Sequence, residues 1–192
     1  MPSTGGSGMA HTKQGRIGGS SRWLRVMGET GFTLIELMVT VAVVGILAMV
    51  AVPAMTSLVN GNRLAGMTGE VTSSLQLARS EAIRRNARVT ICGSTDGTTC
   101  GGGGDWSRWI VTGRDNTTGV VEVIRDNAAP GSVQISGPAG GIEFRPSGLI
   151  DGEEQLTVCV PTDSPEQNQR VITVMISGNL FTNRNNGGGA CP

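Results

Sequence analysis

The sequence has no tyrosine, one histidine and one lysine. His11 and Lys13 both fall in the first 30 residues, so the chain from Gly31 onward has neither. That leaves no Ser-His-Asp site, no Ser-Lys site and no histidine metal site in this part. Its four cysteines contain no Cys-x-x-Cys unit, which argues against a four-cysteine metal centre. The glycine run Gly101–Gly104 lacks the Gly-Lys-Ser/Thr ending of a phosphate loop and reads as a flexible connector. Asp151, Glu153 and Glu154 cluster, but in a predicted loop, where acids belong to a solvated turn; a carboxylate pair for glycoside chemistry is the competing reading. No cofactor is expected, and the chain does not read as an enzyme.

Charge is also missing from one long stretch. Between Phe32 and Asn62 the only ionisable residue is Glu36. The apolar run from Phe32 to about Val59 is long enough to span a bilayer, which takes about 20 residues. A carboxylate in such a run costs about 2.5–3.5 kcal/mol to insert. A plain anchor has no use for it, whereas a subunit that meets a charged partner inside the bilayer does. Pro53 removes a helix hydrogen bond and is expected to kink the helix there, with Gly45 as a second soft point.

The stretch Gly31-Phe32-Thr33-Leu34-Ile35-Glu36-Leu37, followed by that run, resembles the class III signal of type IV pilins and type II secretion pseudopilins. An ordinary signal anchor is the alternative. The resemblance implies that a prepilin peptidase cuts after Gly31 and that the new N-terminal Phe32 is methylated. It also implies that Glu36, at the fifth position of the processed chain, serves assembly. Residues 1–31 would then be a leader, rich in Gly and Ser and without periodic pattern, for which disorder is expected. Lys13, Arg16, Arg22 and Arg25 against Glu29 give the leader +3, and since the whole chain is neutral the rest carries −3. The basic flank holds that end in the cytoplasm and sends the C-terminal part to the periplasm. Met9 as initiator would keep these charges; Met27 would lose them.

Beyond Pro53 the apolar residues become periodic. Leu64, Met67, Val71, Leu75, Ala78 and Ala82 recur every three or four residues, which predicts one stripe on a helix from about Thr33 to about Arg85. Gly61, Gly66 and Gly69 each weaken it by about 1 kcal/mol relative to Ala. Leu77-Ala78-Arg79-Ser80-Glu81-Ala82-Ile83-Arg84-Arg85 resembles the helix end of the GspH/FimT branch of the pilin superfamily; read alone, it is an exposed helix end with Glu81 paired to Arg84 or Arg85.

From Asn86 the pattern turns to short strands: Arg88–Cys92, Trp109–Thr112, Val120–Arg125, Val133–Ser136, Ile142–Phe144, Leu156–Val160 and Val171–Ile176. Their spacing predicts a twisted antiparallel sheet set. Trp106-Ser107-Arg108-Trp109 and Phe144-Arg145-Pro146-Ser147-Gly148 also resemble the GspH/FimT domain, as core packing and a turn rather than chemistry. The expected fold is thus α+β and type IV pilin-like. One long N-terminal helix, transmembrane in its first half (32–59), packs in its second half on an antiparallel head (60–192).

Cys92, Cys100, Cys159 and Cys191 lie in the exported part, where an even count favours disulfides. Three pairings are possible; the local bridges Cys92–Cys100 and Cys159–Cys191 are preferred. Asn116-Thr117-Thr118 fits a glycosylation sequon that bacteria rarely use.

The expected function is that of a structural subunit in the inner membrane, with its head in the periplasm. As a minor pilin it would help initiate or cap a type IV pilus; the alternative is a GspH-type minor pseudopilin of a type II secretion system. Its expected partners are other pilins or pseudopilins, prepilin peptidase, the inner-membrane assembly platform and membrane lipid. A third reading is DNA binding in natural transformation. Some FimT proteins carry Gly-Arg-x-Arg near the C-terminus. The corresponding Ser177–Arg184 stretch here lacks the arginine pair, which leaves Arg170 and Arg184 beside a tail, Asn185–Ala190, read as flexible. From Asn86 onward seven arginines face eleven acids, a balance of −4 that opposes phosphate binding.

Overall fold

The computed structural model describes residues 31–115 and 117–192. The leader before Gly31 and Asn116 of the sequon lie outside the described residues. Helix α1 runs over Leu34–Arg85, 52 residues, and continues through Pro53. Among the described residues eight strands follow: β1 (Val89–Gly93), β2 (Arg108–Arg114), β3 (Val121–Ala128), β4 (Gln134–Ser136), β5 (Ile142–Phe144), β6 (Glu154–Cys159), β7 (Gln169–Val174) and β8 (Leu180–Asn185). The residues up to Val41 and those from Ala42 onward form separate units. The sheets and the second half of α1 belong to the latter.

Helix α1 ends where Asn86 takes a left-handed conformation (φ 49°), with Ala87 N–H reaching back to Ala82 O at 3.2 Å. Asparagine tolerates this geometry better than most residues and so stops the helix. Arg84 and Arg85 in the last turn suit its negative end.

The strands form two four-stranded antiparallel sheets, ordered β3-β2-β1-β5 and β4-β6-β7-β8. A single bridge between Asp105 and Ser136 links the segment before β2 to β4. The β2–β3 register shifts at Val111/Thr112, leaving Ile124 as an extra residue that packs on the core.

Every residue of the apolar stripe, from Leu64 to Ala82, is buried against the sheets. Trp106, Trp109 and Phe144 fill the space between and are fully buried. Each indole N–H has an acceptor: Trp109 donates to Ser74 Oγ at 3.1 Å and Trp106 to Pro138 O at 3.3 Å. Burying a side chain of this size contributes on the order of 2–3 kcal/mol, provided its polar atom is satisfied.

Two expectations change. Leu180–Asn185 is a strand, β8, where none was predicted. The Gly101–Gly104 run is a tight turn rather than an open connector: Gly101 and Gly102 both donate to Gly93 O, at 3.1 and 3.0 Å, and a Cβ on Gly102 would stand 2.6 Å from Asp105 O.

Candidate functional site

The N-terminal site is built on the start of α1. Thr33 lies just outside the helix and caps it, its Oγ1 accepting from Glu36 N–H at 3.2 Å while its carbonyl accepts from Leu37 N–H at 3.1 Å. This is the N-cap and N3 relation of Thr-x-x-Glu, a signal readable in the sequence directly after Gly31-Phe32. It fixes Glu36 in the first turn, where the helix dipole favours a negative charge. Phe32, before the cap, is 81% exposed.

From Phe32 to Val59 the large apolar side chains are all exposed, in contrast to the buried stripe that begins at Leu64. Such a surface needs lipid or other chains to cover it. Among the described residues, α1 is the one helix long and apolar enough to cross a membrane.

The head carries the remaining predicted residues. Cys92 is bonded to Cys100 and Cys159 to Cys191, so no cysteine is left for a metal. The expected helix-end ion pairs form: Glu81 accepts from Arg84 Nε at 3.0 Å and from Arg85 Nε at 2.7 Å. These bonds, Arg84 first and then Arg85, hold the Glu81 carboxyl at a pKa of about 2. Arg85 also reaches Glu122 on β3, and Arg145 reaches Asp151 in the acidic turn.

Two polar features escaped the sequence reading. Arg79 leaves the helix to donate to Gly178 O at 3.0 Å and Ser177 O at 3.1 Å, tying α1 to the β7–β8 turn. Gly178 has φ 76°, and a Cβ there would collide with Gly148 O. Asn168, fully buried, donates to Val160 O at 3.0 Å and Ala190 O at 3.2 Å, and accepts from Gly187 N–H at 2.8 Å. Gln169 adds a bond to Ala190 O at 2.9 Å. The tail read as flexible is therefore fastened along its length, by these amides and by Cys191. In the neighbouring loop, Ser164 O accepts from Asn60 on α1 at 2.8 Å. Arg170 and Arg184, the two candidate nucleic-acid contacts, stand directly opposite each other on β7 and β8. Burial, then the charge of Arg184, lowers the Arg170 pKa.

A capped apolar helix with an acid in its first turn, followed by an antiparallel head, defines a pilin-like subunit. Residues 27–52 match the prokaryotic N-terminal methylation motif. Residues 68–179, more than half of the chain, match the family described as type II transport protein GspH, and the chain belongs to that family. Its members are structural pilins and pseudopilins. Among solved structures, the type IV minor pilin FimU of Pseudomonas aeruginosa is similar at 18% identity and a TM-score of 0.50, over 64% of this chain and 89% of FimU. The minor pseudopilin EpsH from the type 2 secretion system of Vibrio cholerae aligns at 14% identity and a TM-score of 0.49, over 64% of this chain and 97% of EpsH. At such identities the FimU likeness is one of fold.

Proposed function

We propose that this chain is a minor pilin that helps initiate or cap a type IV pilus. Prepilin peptidase cleaves between Gly31 and Phe32, and Phe32 is methylated. Residues 32–59 hold the subunit in the inner membrane, bent at Pro53, with the 60–192 head in the periplasm. Glu36 of one subunit pairs with the Phe32 amine of a neighbour as the assembly platform adds it. Pairing withdraws two charges from lipid together, which drives addition and fixes register. The observation that carries this reading is Glu36 in the capped first turn of a helix whose apolar surface is bare from Phe32 to Val59.

The matched family's description favours a second reading, a minor pseudopilin of a type II secretion system. A clean gene deletion separates them. Lost surface pili and twitching with intact enzyme secretion is the expected result. Lost secretion with normal pili makes the chain a pseudopilin. If both stay normal, the assembly reading falls and DNA uptake, resting on Arg170 and Arg184, is tested next.

A further inference from the structure

Strand β8 is an open edge of its sheet. It pairs along its whole length with β7, without a register shift, and among the described residues no strand lies on its other side. It contains no proline, and its one charge is Arg184. Natural proteins usually blunt an edge with such devices, because an unpaired row of N–H and C=O groups is a template for another chain. The C-terminal tail does not cover it. From Gly187 the tail folds back over the start of β7 towards Cys159 on β6.

Two side chains on this edge indicate what suits it. Arg184 faces Arg170 directly, and like charges so placed repel. Arg170 is occupied by the carbonyls of Gln167 and Gln169, each at 2.9 Å. The Arg184 side chain has no hydrogen bond or ion pair among the described residues. Three positions earlier, on the other face, Phe181 is 55% exposed. A polyanion fits poorly beside a sheet region that, from Asn86 onward, has a balance of −4. A single carboxylate on a partly apolar strand fits both residues.

We infer that β8 is a docking strand. It takes an extended segment of a neighbouring, different subunit, which pairs with the open edge and sets a carboxylate against Arg184 and Arg170. In antiparallel pairing, the acid precedes by three residues the side chain that meets Phe181, giving an acid-x-x-apolar pattern. A second copy offers a poor match. On the edges of its other sheet, β3 and β5, Glu122 is held by Arg85, Asp126 by Arg108 at 2.9 Å and Glu143 by Arg88. The inference rests on the assembly reading above.

The test uses the full chain in cells lacking the native copy, with a photo-reactive benzoyl-phenylalanine at Phe181. Sheared filaments are illuminated and adducts mapped by peptide sequencing. The expected adduct joins position 181 to another filament subunit within an acid-x-x-apolar stretch. Arg184→Glu lowers its yield about tenfold or more, while membrane level and cleavage after Gly31 stay as in wild type. Changing the mapped acid to arginine restores the adduct to the Arg184→Glu chain. Incorporation without an adduct at 181, or an adduct indifferent to Arg184→Glu, overturns the inference alone. A DNA mobility shift at low salt without any protein adduct overturns it in favour of nucleic acid. Absence of the wild-type chain from filaments sinks the assembly reading, and the inference with it.

Discussion

Removing the Cys159–Cys191 bridge should destabilise the head more than removing Cys92–Cys100. The first bridge spans 32 residues and the second 8. On the chain-entropy account these are worth about 3.7 and about 2.5 kcal/mol, a difference of about 1.2 kcal/mol. The side-chain terms nearly cancel, because each bridge joins one buried sulfur, Cys92 or Cys159, to a more exposed one. The comparison is between the double variants Cys159→Ala/Cys191→Ala and Cys92→Ala/Cys100→Ala, each processed and held in detergent. Urea unfolding followed by tryptophan fluorescence reports the head, since Trp106 and Trp109 are fully buried there and Trp23 lies before Gly31, outside the proposed processed chain. With a slope of about 1–3 kcal/mol/M, the two midpoints should differ by roughly 0.4–1.2 M. An equal loss, or a larger one for Cys92/Cys100, would refute the reasoning.

Further outcomes follow from single contacts. Asn168→Ala leaves Gly187 N–H without its partner and takes one of the donors from Val160 O and Ala190 O, which keep Thr162 N–H and Gln169; it should cost about 1–3 kcal/mol, read as a lower urea midpoint together with faster amide exchange over 186–190. The depressed Glu81 pKa stabilises the fold above its unfolded value of 4.5, and this contribution is lost as pH falls from there towards about 2. Because Arg84 is largely exposed the gain is at most about 2 kcal/mol, and Glu81→Gln should flatten the midpoint's dependence on pH between 6 and 3. Gly31→Ala should block or slow leader removal, seen as a larger band on a gel; complete processing of that variant would contradict the cleavage assignment.

The long helix was legible because its two halves announce themselves differently. An uncharged run precedes Val59, and a stripe with a helical period begins at Leu64. All seven candidate strands are present within a few residues of their expected bounds; six carry buried apolar residues, and the exposed β3 packs only Ile124 on the core. Strand β8 was not legible. Its apolar residues, Leu180 and Phe181, are crowded at one end, and Thr182-Asn183-Arg184-Asn185 reads as a loop. Only the ladder offered by β7 makes it a strand, as expected where tertiary pairing outweighs propensity. The division into two sheets was equally hidden, because strand spacing does not say which strands pair. Asn168 looked like a loop residue; its burial is visible only once the tail folds back on it. At the helix start, the Thr-x-x-Glu cap that Thr33 and Glu36 form is a short local signal that was passed over because both residues were read for the signal motif alone.

The central claim is that Glu36 serves assembly rather than folding or cleavage. The direct measurement is the share of processed Glu36→Ala chain recovered in sheared filaments, relative to wild type at equal membrane level. Losing the partner for a neighbour's Phe32 amine in lipid should lower that share about tenfold or more, with leader removal unchanged. Wild-type recovery of the Glu36→Ala chain in filaments would contradict the account.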